Sequence, residues 1–178
     1  MHRLTLLAPL LALACAPAEG VDVDAAGLDA AARVLPSLAV VGGCSDVFAY
    51  AASADDTKAI FVHIDGGYAA EASQTGQPMQ LSFTLPHPEV TVTAQWGDEL
   101  TINECNDVMM GQPFVQGEAV GVSGTVHLTL DPLGPYYPWD MSNHAVIELD
   151  GVRLQDPDTG RQRSLTTTLE TTVGWLPG

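Results

Sequence analysis

Basic residues are scarce in this chain. Lys and Arg number 6 against 22 Asp and Glu, for a formal charge of −16 at pH 7, and Lys58 is the single lysine. So little positive charge excludes nucleic-acid binding, which needs clustered Arg and Lys on the phosphates. It also excludes charge-driven adhesion to an anionic membrane surface. Long apolar runs are missing too. Beyond the N-terminus no stretch approaches the roughly 20 apolar residues that a spanning helix requires. Metal-binding spacings are absent: there is no Cys-x-x-Cys, His-x-His or His-Glu-x-x-His, the arrangements that place ligands on one ion. No internal repeat is present. Aromatic residues make up only 6% of the chain, and cysteines number 3, so the places where either type gathers carry weight.

What is present begins with an export signal. His2 and Arg3 precede the apolar run Leu4–Leu13, which is followed by the small residues Ala14, Ala16 and Ala18. This run has the length of a signal-peptide core, is too short to span a bilayer, and is interrupted by Pro9. The tetrad Ala12-Leu13-Ala14-Cys15 resembles the lipobox of bacterial lipoproteins, with Ala12 and Leu13 standing where that family carries Leu and a small residue. The resemblance implies cleavage before Cys15 and a lipid on its sulfur, and hence a membrane partner reached through that lipid. Ordinary signal-peptidase cleavage after Ala14 or Ala18 is the alternative, since both sites fit the small-x-small rule. The expected organisation is therefore a signal peptide over 1–14, a tether over 15–36 and one folded domain over 37–178. A short helix over Asp24–Leu35 is the other reading of the tether. The location implied is the outer membrane or periplasm, or otherwise the secreted fraction.

Cysteine parity supports a disulfide. Lipidation of Cys15, or cleavage after Ala18, leaves Cys44 and Cys105 as an even pair in an oxidising compartment. The run Gly43-Cys44-Ser45-Asp46-Val47, the strand pattern after it and Cys105-Asn106-Asp107 are similar to uncharacterised exported bacterial β-domains. That similarity implies no activity.

From Val47 onward strands dominate. Val47–Tyr50 and Ala59–Ile64 are rich in aromatic and β-branched residues, and Asp65-Gly66-Gly67 supplies turn chemistry. Leu81, Phe83 and Leu85 alternate with polar residues, as do Val90, Val92, Ala94 and Trp96, the period of half-buried antiparallel strands. The segment 69–80 between them reads as a loop or one helical turn. Val120, Val122, Val126, Leu128 and Leu130 share one parity. Ala145, Ile147 and Leu149 form another set, which Val152 and Leu154 continue with parity shifted by one. The shift predicts a β-bulge at Asp150-Gly151, with a tight hairpin turn as the alternative. Leu165, Leu169, Val173 and Trp175 close the series. The fold class expected is all-β, an antiparallel β-sandwich of about eight short strands with little helix.

Candidate sites are few. Gly121-Val122-Ser123-Gly124-Thr125 begins like a nucleophile elbow, but Thr125 replaces the last Gly and Ser123 lies mid-strand rather than at a strand-to-helix turn. His63, His87, His127 and His144 are dispersed; His127 and His144 fall on the polar faces of successive strands and are candidate neighbours across a hairpin. Met109-Met110 is a weak copper pattern for an exported protein. Asp156-Pro157-Asp158-Thr159-Gly160 starts like a calcium loop, but Arg161 and Arg163 follow where a closing acid is needed, so a hairpin turn is preferred. The acids are spread along the chain, which reads as solubility rather than cation binding. Tyr136, Tyr137 and Trp139, in a Pro-rich connection, either stack on a glycan or anchor a protein ligand, or fold back to cap the domain. No catalytic residue, metal ligand or cofactor is expected. The reading is a non-enzymatic domain with a structural or binding role. A carbohydrate-binding module is the alternative and a secreted hydrolase a more remote one.

Overall fold

A computed structural model describes residues 38–138 and 140–175. Cys15, the tether and Trp139 lie outside the described residues. The chain is all-β and antiparallel. Strands β1 (Val40–Cys44), β2 (Val47–Ala52) and β3 (Lys58–Ile64) lead to helix α1 (Tyr68–Thr75). There follow β4 (Met79–Leu85), β5 (Val90–Asp98), β6 (Phe114–Pro132), β7 (Asp140–Gln155) and β8 (Gln162–Trp175).

All eight strands belong to one hydrogen-bonded sheet, in the order β1-β2-β3-β5-β6-β7-β8, with β4 paired to β6 off this path. The sheet curls until its ends meet, giving a nearly closed barrel. Ser45 N–H donates to the Trp175 carbonyl at 2.9 Å, and Gly174 N–H donates to the Ser45 carbonyl at 2.6 Å. Closure depends on Gly43. A Cβ there would stand 2.7 Å from Thr171 Cγ2 and 2.8 Å from the Phe48 carbonyl oxygen, so only glycine lets β1 approach β8 this closely. The two facing layers expected from the sequence thus take the form of one sheet folded onto itself.

Period-two alternation fills the interior. Phe83 and Leu85 on β4, Val90, Val92, Ala94 and Trp96 on β5, Val126, Leu128 and Leu130 on β6, and Leu165, Leu169 and Val173 on β8 are all buried in a common core. Each fully buried Leu, Ile or Val contributes about 1.5–3 kcal/mol relative to exposure. Strand β7 keeps Ala145, Ile147 and Leu149 inside, then Val152 and Leu154, through a register shift between Leu149 and Val152 at Gly151. The predicted bulge is therefore present, with Gly151 at φ +57°.

The single parity expected for β6 is not kept. Ala119 faces the core, as do Val126, Leu128 and Leu130, residues of opposite parity. Two register shifts against β7, between Gly121 and Ser123 and between Ser123 and Thr125, absorb the difference. Bulges bend a strand while letting pairing resume, which explains how β6 reaches 19 residues and β7 16 where short strands were expected.

The segment expected as a loop or a single turn carries the eight-residue helix α1. No local side chain caps it. Asp46, from the β1–β2 turn, does so from a distance: its carboxylate accepts N–H bonds from Gly66, Gly67 and Ala69, satisfying donors that a helix start leaves open. The other side of α1 lies against β6, β7 and β8. Buried Asn143 on β7 holds it there, with Nδ2 3.0 Å from both the Ala69 carbonyl and Ser73 Oγ.

Candidate functional site

A second apolar layer lies on the outer face of β2 and β3. Ala52, Ala59, Phe61 and Leu100 are buried there, with Phe48 and Tyr50 packed against them. The cover is the long loop 99–113. Cys44 and Cys105 form a disulfide across 61 residues of sequence, fastening the middle of this loop to the end of β1. Asp56 anchors its start, accepting from Thr101 N–H at 3.0 Å and from Thr101 Oγ1 at 3.0 Å. Asn103 closes it on itself, donating to the Gly111 carbonyl at 2.8 Å and accepting from Met110 N–H at 2.9 Å. Burial raises the pKa of Glu104, on the loop itself. Burial also raises that of the Tyr50 phenol, with the negative charges of Glu104 and Asp56 adding to the effect. On the loop's far side Met109 and Met110 are 76% and 65% exposed, turned outward.

The two tyrosines of the connection between β6 and β7 do not fold into the core. Tyr136 and Tyr137 are 37% and 46% exposed. Tyr137 and Asp140 exchange backbone hydrogen bonds at 3.1 and 3.0 Å, closing a tight turn just before β7. Asp140 Oδ1 accepts from Ser142 Oγ at 2.6 Å and from Ser142 N–H at 3.1 Å. Beside them is a cleft of about 100 Å³ lined by Leu133, Gly134, Pro135, Tyr137, Asp140 and Ser142. The cleft combines a ring face with a carboxylate and a hydroxyl, the groups that sugar hydroxyls and ring faces engage.

The histidines are separated. His63 lies 3.2 Å from Asp65, and His144 lies 3.0 Å from Glu170. The His87 ring packs edge-on to Phe83 at 5.1 Å between centroids. His127 and His144 are not neighbours: His127 pairs with Glu148, and His144 with Asp131. The β6–β7 register thus sets them four residues apart along the strands, about 13 Å at 3.3 Å per residue. Among the described residues no group of three or more His, Cys, Asp and Glu is arranged to hold a metal ion.

One polar row escaped sequence reasoning. Ser82 on β4, His127 on β6 and Glu148 on β7 are successive cross-strand partners, with Ser82 Oγ 2.6 Å from His127 Nδ1. His127 and Glu148 border an open depression of about 350 Å³ with Gln80, Leu81 and Thr129. These residue types resemble a nucleophile–base–acid set, but Ser82 is exposed on the outer wall of the sheet, not recessed at its end. Only register brings the three together, and no local spacing encodes it. Ser123, the sequence's own nucleophile candidate, sits inside the β6 bulge opposite Arg153.

Other titratable groups with displaced pKa hold turns. The hydroxyls of Ser53 and Thr57, together with Thr57 N–H, lower Asp55 to about 2. The N–H groups of Thr159 and Asp158 lower Asp156, which organises the turn 156–160 as the hairpin expected there; Gly160 N–H donates to the Asp156 carbonyl at 2.8 Å. Tyr68 donates to Glu89 at 2.6 Å. That bond, with burial and the carboxylate's charge, pushes its phenol up to about 12.

The geometry defines a disulfide-fastened, eight-stranded antiparallel domain with an aromatic turn between its two longest strands. No protein-family model, curated protein or solved structure matches the chain.

Proposed function

We propose that the chain is an exported β-domain, anchored by a lipid on Cys15, with a non-catalytic binding or structural role at the cell envelope. The Cys44–Cys105 bond carries the reading. A disulfide that fastens a whole covering loop belongs to an oxidising compartment, and the apolar run Leu4–Leu13 before Ala12–Cys15 is the route there. The exposed position of Ser82 on the outer wall of the sheet favours recognition over turnover. Intact-mass analysis of the mature protein tests the anchor. A diacylglyceryl-modified N-terminal Cys15 is expected, with the lipid mass lost in Cys15→Ser. An unmodified N-terminus beginning after Ala14 or Ala18 would refute it.

The exposure of Tyr136 and Tyr137 beside Asp140 and Ser142 favours one specific form of that role, the binding of a glycan by Tyr136, Tyr137 and Trp139. A neutral glycan fits better than an acidic one, because a chain of charge −16 repels anions. Replacing all three by alanine is expected to abolish retention on immobilised amylose or chitin and to leave the melting temperature nearly unchanged. A collapse of the melting temperature would instead assign these rings a capping role.

A further inference from the structure

Strand β4 presents an open edge. Strand β4 pairs with β6 on one side, and among the described residues no strand pairs with its other side. Of the named elements, β6 alone runs closely alongside it. An edge of unpaired N–H and C=O groups is a template for another strand, and proteins normally blunt such edges with charge, proline or a bulge. Strand β4 has none of these. Its sequence is Met-Gln-Leu-Ser-Phe-Thr-Leu, its register with β6 is unbroken, and Pro78 and Pro86 fall just outside it.

Charge identifies what fits. In a chain of net charge −16, residues 72–88 contain no Asp, Glu, Lys or Arg. Here two copies can approach without setting carboxylate against carboxylate. The strand is also self-complementary. Antiparallel pairing centred on Ser82 sets Leu81 against Phe83, Gln80 against Thr84 and Met79 against Leu85, so each face meets its own kind. Met79 and Leu81 are only partly buried, and a second strand would complete their cover on the inner side.

We propose that β4 is the interface of a two-fold symmetric dimer, in which two barrels join through antiparallel β4–β4 pairing about Ser82. The two-fold axis then places Ser82 directly against its own copy, as an isologous contact requires. Like charges directly opposite one another across an antiparallel pair are destabilising and opposite charges stabilising, which gives the interface a signed test.

The test is analytical ultracentrifugation of the full chain carrying Cys15→Ser, so that no lipid drives association, at tens of micromolar. The parent is expected to sediment as a dimer, and S82E and S82K each as a monomer with an unchanged circular-dichroism spectrum. An equimolar mixture of S82E and S82K is expected to recover the dimer. Thr84→Lys, at a second exposed position of the same edge, is expected to dissociate it as well and serves if either Ser82 variant fails to fold. A monomeric parent would overturn the proposal, as would folded edge variants that remain dimeric or a mixture that stays monomeric.

Discussion

Replacing Cys44 and Cys105 together by alanine will lower the stability of the domain by about 4 kcal/mol, the loop-closure entropy returned to the unfolded chain. The bond spans 61 residues, so the unfolded ensemble it restricts is large. In thermal melts this corresponds to a fall of roughly 10–15 °C for a domain of this size. The effect is also local. The loop 99–113 retains the Asp56–Thr101 anchor at its start but loses its central attachment. Phe48, Tyr50 and Phe61, packed together beneath it at centroid distances of 6.2–6.4 Å, become accessible. Hydrogen exchange should therefore rise first in 99–113 and in the outer layer, while amides of β6–β8 retain protection until global unfolding. A double variant with parental melting temperature and unchanged exchange in the loop would show that the disulfide fastens nothing the hydrogen bonds do not already hold.

Gly124→Ala should be similarly damaging, although it adds a single methyl group. Gly124 has φ +111°, outside the region that side-chain-bearing residues adopt readily. A Cβ would stand 2.5 Å from Val152 Cα and 2.7 Å from the Gly151 carbonyl oxygen. Both are backbone atoms of the neighbouring bulged strand, and neither can rotate away. A loss on the order of 3–5 kcal/mol follows from the combined backbone strain and overpacking. Ser123→Ala, one residue earlier, should change stability by less than about 1 kcal/mol, since it removes a hydroxyl from a part-exposed position. Urea denaturation of the two variants separates them. Equal losses would mean that the bulge tolerates a side chain at Gly124 and that β6 and β7 do not approach as closely as described. The contrast also accounts for the segment that begins like a nucleophile elbow. Its glycine serves the close passage of two bulged strands.

Much of the fold was legible in the sequence. Phe83 and Leu85, the set from Val90 to Trp96, and the set from Leu165 to Val173 place their apolar residues inside, with Leu81 partly buried on the same face, because period two permits no other burial in a strand. The parity slip at Asp150-Gly151 announced a bulge, and Asp156–Gly160 announced a hairpin turn by its own local chemistry. Cys44 and Cys105 were paired by parity alone. Where reading failed, the deciding partner was distant in sequence. Helix α1 has an unremarkable local signal because its cap, Asp46, and its buried tether, Asn143, come from elsewhere. The parity of β6 breaks at bulges that exist only in register with β7. His127 and His144 look adjacent on paper, and that same register holds them apart.

By itself, the sequence determined the acidic character, the all-β antiparallel class and the residues that line the core. Charge count and side-chain periodicity are local properties that need no partner to be read. Only the tertiary structure decided that the sheet closes on itself past Gly43, that the loop 99–113 lies over a second apolar layer, that Ser82, His127 and Glu148 stand in one row, and that β4 keeps an open edge. Each of these rests on which strands become neighbours, and hydrogen-bond register between distant segments sets that rather than any pattern within one segment.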